Sequence, residues 1–336
     1  VHYLARAAQK APKGPAGSKV EVAPKELPAR VGVKAEQADE VLMKLLKANI
    51  ISVHPDGFLV PDVDKLLHFL EFLHEGAVRG RRVRLTVLGC SGGELPRHRT
   101  TCFLVDGRLA VDAGALTQGL ELEDLLAVDD ILLTHSHFDH VKDVPLLADL
   151  LVGRRKTPVR VWASPECATA LREDVFNDRL WPDFTRIPTG EQPVIEIREF
   201  DPAKPFRIGR YRVSPVPVVH PVESMGYVVS DGKASFAISG DTGPTDAFWA
   251  RVNRERKLGA VLVELSFPDA LQWLADVSGH LTPRTLKGEL AKLERNGYPV
   301  LLYHLKPAYA AELRKAIAKA RLPGVRVLKV GDEFVL

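Results

Sequence analysis

One short segment, residues 134–140 with the sequence Thr-His-Ser-His-Phe-Asp-His, limits what this chain can be more than any other. It follows an apolar, strand-like run at 130–133, and it places three imidazoles and a carboxylate within six residues. Histidine is the commonest metal ligand, and alternate residues at a strand's end can point two imidazoles the same way. We expect the side chains of Asp139 and His140 to point toward a second metal position. The spacing therefore favours two metal ions over one, and over a histidine-rich surface loop.

The size and composition of the chain are those of an ordinary globular protein. Its 336 residues are enough for about two domains, and 46% are hydrophobic and 26% charged. The net charge of +3 is too small to indicate an electrostatic nucleic-acid binder. Cys90, Cys102 and Cys167 are widely separated, which indicates reduced thiols and a cytoplasmic protein. No stretch approaches the roughly 20 apolar residues of a membrane span, and no signal peptide is visible, so we expect no membrane partner.

Residues 1–75 differ in character from the rest and contain short helical and strand-like patterns. In chain order the patterns predict helix 2–9, loop 10–19, strand 20–22, helix 24–31, helix 34–47, strands 50–53 and 58–60, and helix 62–74. This order is that of a small winged helix-turn-helix domain. The stretch from Val20 to the wing at Gly57 resembles the C-terminal DNA-binding domain of the catabolite-activator family.

The sequence departs from that family in the helix that would enter a DNA groove. Glu36, Asp39 and Glu40 lie near its start, and carboxylates facing phosphates are repelled. Gln37 could still touch a base edge, so DNA binding stays open as the alternative. We expect instead a structural or regulatory module, or one that forms a homodimer. In the catabolite-activator family such a domain follows a cyclic-nucleotide-binding domain, so the resemblance implies one upstream of Val1.

The region 83–336 follows a predicted linker at 76–82 and alternates between strand-like and helical patterns. Strands are predicted at 83–88, 102–105, 109–111, 131–134, 159–163, 194–200, 211–219, 227–229, 235–239, 261–264, 300–303 and 325–330. Helices are predicted at 143–151, 165–176, 283–295 and 309–320. Such alternation implies an α/β domain with a sheet-rich core covered by helices.

A site for two metal ions needs more donors than segment 134–140 supplies. His220, Asp241 and His304 each end an apolar run, where a buried strand surfaces into a loop. Any one of them alone would indicate an ordinary structural polar group. Together, in this order behind the first segment, they indicate further ligands.

The whole pattern resembles the metallo-β-lactamase superfamily, whose fold is an αββα sandwich of two sheets flanked by helices. The resemblance covers residues 83–336 and implies two divalent ions, zinc in the usual case and manganese as the alternative. It implies these ligands: His135, His137 and His220 for one ion, Asp139, His140 and His304 for the other, and Asp241 as the bridge. Two such ions can share a water, lower its pKa toward 7 and present hydroxide as the nucleophile.

Three segments narrow the resemblance to class II cyclic-nucleotide phosphodiesterases, and they contain Glu264 (263–268), His280 (278–283) and Lys306 (303–307). The resemblance implies hydrolysis of 3′,5′-cyclic AMP or cyclic GMP to the 5′-monophosphate. Asp139, Glu264 and His280 are the candidate catalytic residues. His280 is the candidate general acid, because a neighbouring carboxylate keeps an imidazole protonated nearer neutral pH.

The candidate substrate-binding residues are Lys306, Ser266 and Thr101. Lys306 could meet a phosphate oxygen as a point charge, and Thr101 could line the mouth of the pocket. Other functions stay open. A ribonuclease Z-like endoribonuclease shares the glutamate and the final histidine, although its long tRNA-gripping arm has only a short counterpart at 151–157. A hydrolase of another ester or lactam, or a DNA-binding regulator with a ligand-sensing hydrolase-like half, are the further alternatives.

Overall fold

The structure is a computed structural model that describes residues 2–14, 17–31, 35–54, 56–66, 83–295 and 297–336. Backbone contacts divide the chain into two units, Val1–Arg81 and Arg82–Leu336. The predicted linker at 76–82 lies outside the described residues, as does most of the predicted helix 62–74. The predicted domain limits therefore stay a prediction. No helix in the described ranges is long and apolar enough to cross a bilayer.

The first unit combines helices with one antiparallel sheet. Its elements are α1 (His2–Lys10), β1 (Lys13–Gly14), β2 (Gly17–Val20), α2 (Leu27–Val31), α3 (Ala35–Lys47), β3 (Ser52–His54) and β4 (Gly57–Val60). The sheet order is β1-β2-β4-β3. The predicted loop at 10–19 is wrong where β1 and β2 form, because pairing of Ser18 with Val60 gives this Gly-rich stretch a ladder that its composition does not favour.

The core of the first unit follows from the spacing of its apolar residues. Ala38, Leu42 and Leu45 of α3 are buried at four- and three-residue intervals, and Leu42 and Leu45 belong to one core with Phe58 and Val60 of β4. The described order of helix, strand, helix, helix and hairpin is the predicted one. The interpretation as a winged helix-turn-helix stays a prediction.

The second unit is built on two seven-stranded mixed sheets. Its strands are β5 (Arg84–Gly89), β6 (Cys102–Val105), β7 (Leu109–Val111), β8 (Asp130–Leu132), β9 (Val159–Ala163), β10 (Pro188–Thr189), β11 (Gln192–Pro193), β12 (Ile195–Glu199), β13 (Phe206–Ile208), β14 (Tyr211–Pro217), β15 (Met225–Ser230), β16 (Ser235–Ile238), β17 (Leu258–Glu264), β18 (Val300–Tyr303), β19 (Val325–Val327) and β20 (Glu333–Val335). Sheet I has the order β12-β9-β8-β7-β6-β5-β20, and sheet II has the order β13-β14-β15-β16-β17-β18-β19. Strands β10 and β11 pair only with each other.

Helices cover the outer faces of both sheets. They are α4 (Leu116–Gly119), α5 (Leu122–Leu125), α6 (Phe138–Val141), α7 (Asp143–Leu151), α8 (Pro165–Ala170), α9 (Asp246–Asn253), α10 (Gln272–Ser278), α11 (Pro283–Leu290) and α12 (Ala310–Ala320). A π-helical turn, Leu171–Val175, continues α8 and completes the helix predicted at 165–176.

Three apolar cores separate these layers. Along β6, Phe103 and Val105 join the core between the two sheets, while Cys102 and Leu104 join the core under the helices of sheet I. A third core lies between sheet II and helices α9, α11 and α12. Strands buried on both faces give continuous apolar runs, which is why the sequence predicts them well. The predicted αββα sandwich is confirmed.

The parallel parts of both sheets bring polar residues to one edge. Strands β16, β17 and β18 are parallel neighbours, so Asp241, Glu264 and His304 emerge at the same end of sheet II. Strands β7 and β8 are parallel in sheet I, which puts Asp112 beside segment 134–140. Ligands in sheets of this kind bind where the carboxyl ends of parallel strands meet, and the candidate site lies there.

Candidate metal centre

The first group of predicted ligands comprises His135, His137 and His220, whose donor nitrogens all lie within 4.8 Å of one another. Nε2 of His220 lies 3.1 Å from Nδ1 of His137. Nδ1 of His220 lies 3.0 Å from the carbonyl oxygen of Gly279, which orients the ring so that Nε2 faces the group. Gly279 has φ of 64°, and a Cβ there would come 2.9 Å from the Cα of His220. Only glycine allows this approach at that conformation.

The second group comprises Asp139, His140 and His304, again with donor atoms within 4.8 Å of one another. Nε2 of His304 lies 3.3 Å from Oδ2 of Asp139 and 3.4 Å from Nε2 of His140. Gly92 makes room for the His304 ring, because a Cβ at that position would come 2.7 Å from two ring atoms. The structure therefore brings the donors of this group together from both sheets.

Asp241 lies between the two groups and is almost completely buried. Its Oδ2 is 3.0 Å from Nε2 of His304, 3.3 Å from Nε2 of His140 and 3.9 Å from Nε2 of His135. Members of both groups thus face one carboxylate. This is the place that the sequence assigns to a bridging ligand.

Two unsatisfied atoms show that the site fits metal ions. Nε2 of His135 and Oδ1 of Asp241 are buried, and neither has a hydrogen-bond partner in the described ranges. An unpaired buried polar atom costs about 1–3 kcal/mol, so a structure that keeps two of them side by side needs a bound group to satisfy them. Imidazole nitrogens and carboxylate oxygens are donors that zinc and manganese accept.

The protonation states of the candidate ligands also suit the binding of a metal cation. Burial, with the nearby His140, holds the pKa of His135 well below its usual range, and burial lowers the pKa of His220 to about 4. Both imidazoles are therefore neutral and can offer a lone pair. Burial opposes ionisation of Asp241, but His304 and His140 outweigh it and hold the pKa of that carboxyl well below its usual range. His135 and His220 thus offer neutral nitrogens beside an ionised carboxylate.

Asp112 is a functional residue that the sequence reasoning missed. It is fully buried directly after β7, and its Oδ2 accepts a hydrogen bond from Nδ1 of His140 at 2.8 Å. Its Oδ1 accepts one from the backbone N–H of Thr134, also at 2.8 Å. The carboxylate therefore fixes the tautomer of His140 and leaves Nε2 for a metal. The available signal was a carboxylate ending an apolar strand, the same signal that identified Asp241.

Glu264 connects His280 and His304 behind the ligands. The Glu264 side chain is fully buried, and its Oε1 accepts a hydrogen bond from Nδ1 of His280 at 2.8 Å. Nδ1 of His304 donates to Oγ of Ser266 at 2.9 Å, and that hydroxyl donates to Oε2 of Glu264 at 2.9 Å. The rings of His280 and His304 stack with centroids 5.3 Å apart. One carboxylate thus orients two imidazoles.

The charge of Glu264 also changes the acidity of His280. Burial alone would lower the pKa of His280, but the charge and hydrogen bond of Glu264 outweigh it and raise that pKa above its usual range. Glu264 therefore keeps His280 protonated to a higher pH than an unpaired histidine. Nδ1 is held by Glu264, so Nε2 is the nitrogen left to exchange a proton.

The three predicted substrate-binding residues differ in their exposure to solvent. Ser266 and Thr101 are both fully buried, so their prediction as substrate contacts does not fit the structure. The Ser266 hydroxyl contacts His304 and Glu264, and Ser266 lies two residues beyond Glu264, the last residue of β17. Lys306 is half-buried, and its charge lies close enough to His280 to act on its pKa. It stays the candidate for contacting substrate.

The comparison with protein families agrees with this geometry. A family profile described as a beta-lactamase superfamily domain matches residues 103–319, well over half of the chain. The chain belongs to the metallo-β-lactamase superfamily. The resemblance drawn from segment 134–140 and the three strand-end ligands is confirmed at this level.

Individual superfamily members are similar at modest identity. A Yersinia pestis protein named "Probable 3′,5′-cyclic-nucleotide phosphodiesterase" is 28% identical over 241 residues, which cover 62% of this chain and 66% of that protein. A Methanopyrus kandleri ribonuclease Z is 31% identical over 144 residues, which cover 42% of this chain and 44% of that protein. The crystal structure of unliganded yeast PDE1 superposes with a TM-score of 0.63 at 21% identity, covering 76% of this chain and all of that chain. This last similarity shows the fold.

Proposed function

We propose that this chain is a two-metal phosphodiesterase that hydrolyses 3′,5′-cyclic nucleotides to 5′-monophosphates. The observation that carries the proposal is the buried Glu264–His280 pair, whose hydrogen bond of 2.8 Å sets an imidazole of raised pKa beside two groups of candidate metal-ligand side chains. The name of the Yersinia pestis relative supports the substrate class. So does Saccharomyces cerevisiae 3′,5′-cyclic-nucleotide phosphodiesterase 1, which is 26% identical over 258 residues, covering 61% of this chain and 68% of that protein.

Seven side chains would hold the two ions: His135, His137 and His220, then Asp139, His140 and His304, with Asp241 between them. When bound, the ions would supply an activated water and offset negative charge on the phosphate. Zinc is the metal that the ligand set favours, and manganese is the alternative.

The protein's own contribution centres on His280. Hydrolysis to a 5′-monophosphate breaks the bond between phosphorus and the 3′ oxygen, and that oxygen leaves with a proton. Glu264 holds Nδ1 of His280, so the proton on Nε2 is the one available for transfer. Glu264 acts through His280 and, through Ser266, through His304. Lys306 would stabilise a phosphate oxygen through its charge.

The test is hydrolysis of cyclic AMP and cyclic GMP by the purified chain loaded with zinc or manganese. Chromatography separates 5′- from 3′-monophosphate. We expect the 5′ product alone. Asp241→Asn should lose both the activity and bound metal, whereas Asp149→Asn, the same change at an exposed position of α7, should change neither. Cleavage of bis-p-nitrophenyl phosphate without cleavage of either cyclic nucleotide would contradict the proposed substrate.

A ribonuclease Z-like activity is the second candidate, and the Methanopyrus kandleri relative favours it. One observation weighs against it: α7 ends at Leu151 and β9 begins at Val159, so the connection has no room for a long RNA-gripping arm. A structured precursor tRNA belongs in the same assay. Endonucleolytic cleavage of this RNA, with no turnover of cyclic nucleotides, would replace the first proposal by the second.

A further inference from the structure

A strongly basic cavity lies at the end of sheet II opposite to the metal centre. Its volume is about 520 Å³. It opens where β14 begins and β15 ends, whereas His220 and Asp241 follow the other ends of β14 and β16. Seven of its lining side chains are cationic and two are acidic. None of the predicted metal ligands or catalytic residues lines it.

The two acidic side chains are already paired. Asp231 lies 3.4 Å from Arg210, and Glu255 lies 3.3 Å from Arg251. The remaining positive charge of the cavity is therefore not offset by these carboxylates. Arg251 also donates to the buried hydroxyl of Ser214 at 3.3 Å, which fixes one wall of the cavity.

Five cations carry the unbalanced charge: Arg207, Arg212, Arg254, Arg256 and Lys257, whose ammonium donates to the carbonyl oxygen of Gly232. Within the described parts of the chain, none of these guanidinium groups makes an ion pair or a side-chain hydrogen bond. Arg207 and Arg212 are direct partners in the ladder between β13 and β14. Like charges directly opposite one another destabilise a sheet, so this pair costs stability unless an anion joins it.

Ordinary structural roles explain only part of the cluster. Arg254 and Arg256 follow the C-terminal end of α9, where cations stabilise a helix by offsetting its dipole. Arg207 and Arg212 lie on strands, where no such effect operates. The two sets converge on one cavity, which supports a shared ligand.

We propose that this cavity binds a compact polyphosphate anion, a small molecule with a chain of phosphate groups. Guanidinium forks match phosphate oxygens in bidentate pairs, and about five unbalanced cations suit a ligand with about four to five negative charges. The volume lies in the range of small-molecule sites. Of the described residues, no aromatic side chain lines the cavity, so no aromatic ring there would stack on a nucleobase. The recognised feature is the phosphate chain itself.

The test is isothermal titration of the full chain with inorganic triphosphate at near-physiological ionic strength. We expect one binding event per chain beyond any at the metal centre. Arg207→Gln with Arg212→Gln should weaken this event by about tenfold or more for each arginine, because hydrogen bonds to charged groups contribute on that scale. Lys315→Gln with Lys319→Gln removes the same charge from the exposed surface of α12 and should leave the event unchanged.

Three results would overturn the proposal. An equal loss of triphosphate affinity in the Lys315/Lys319 variant would show that general surface charge attracts the anion. If Asp241→Asn lost triphosphate binding and the arginine variant retained it, the triphosphate would bind at the metal centre. Displacement by a single-stranded RNA oligonucleotide at a lower concentration than triphosphate would identify a nucleic-acid backbone as the ligand. A melting curve of the arginine variant that matches the unaltered chain verifies that its fold is intact.

Discussion

Replacing Asp112 by asparagine tests how the buried carboxylate prepares a metal ligand. The substitution keeps the size of the side chain and one carbonyl oxygen, which can still accept from the backbone N–H of Thr134 at 2.8 Å. The second oxygen becomes an NH2 group facing Nδ1 of His140, which lies 2.8 Å from that atom. Two donors would then meet, and His140 would favour the tautomer with its proton on Nε2. That nitrogen could no longer bind a metal.

The expected magnitude follows from these contacts. One charge-assisted hydrogen bond is lost, a contribution of about 1.5–3 kcal/mol. Loss of a partner that orients a histidine ligand typically costs 10–100-fold in metal affinity, or about 1.4–2.8 kcal/mol. We therefore expect Asp112→Asn to weaken one of the two zinc-binding events of the chain by about 10–100-fold. The other event should change little, because the ring nitrogens of His137 and His220 meet each other and Gly279, whereas Asp112 bonds His140.

The assay is zinc titration of metal-free protein against a chromophoric chelator. The unaltered chain should give two binding events, and Asp112→Asn should shift only one of them. Asp149→Asn is the matched control, since it makes the same change at an exposed residue. Two unshifted events in Asp112→Asn would refute the view that this carboxylate orients His140, and two equally shifted events would show a general loss of folding.

Three further predictions concern catalysis, packing and thiol chemistry. His280→Ala should lower kcat by roughly 10²–10⁴ with bound metal retained, as loss of a general acid requires. Leu262→Ala should lower the free energy of unfolding in urea by about 2–5 kcal/mol, because Leu262 is fully buried between the sheets. Burial raises the pKa of Cys90 to about 12, so about one part in 10⁴ is thiolate at pH 8 and the native thiol should resist an aromatic disulfide reagent.

Each of these three predictions can be checked against a control experiment. His54→Ala changes an exposed histidine and should leave kcat unchanged, and wild-type turnover by His280→Ala would remove His280 from catalysis. Leu180→Ala truncates an exposed leucine and should change stability by less than about 0.5 kcal/mol. A similar small loss for Leu262→Ala would contradict the close packing of the two sheets. Rapid labelling of Cys90 in the native protein would show that the residue following β5 is exposed in solution.

The sequence indicates candidate metal ligands because their signals are local. Segment 134–140 places four candidate ligands within six residues, and Asp241 and His304 each follow a continuous apolar strand. Such strands are buried on both faces, which makes their ends easy to locate. The short edge strands β13 and β20 escape prediction, since backbone pairing with a neighbour defines them more than side-chain pattern does.

Other features depend on contacts between distant parts of the chain. Asp112 lies 28 residues before His140, and a lone carboxylate carries no local sign of its partner. The sequence places Ser266 near the site but cannot tell that its hydroxyl faces Glu264 and His304 rather than substrate. The basic cavity is equally hidden, because its arginines are spread over residues 207–256 and the net charge of the chain is only +3.

The central claim is that two metal ions held by one ligand set carry out hydrolysis of a cyclic nucleotide. The most direct measurement titrates metal-free protein with zinc while native mass spectrometry counts bound ions and chromatography follows 5′-AMP formed from cyclic AMP. We predict that the rate of 5′-AMP formation rises in proportion to the species with two ions. Full activity in the species with one ion would contradict the two-metal site, and no 5′-AMP from fully loaded protein would contradict the proposed reaction.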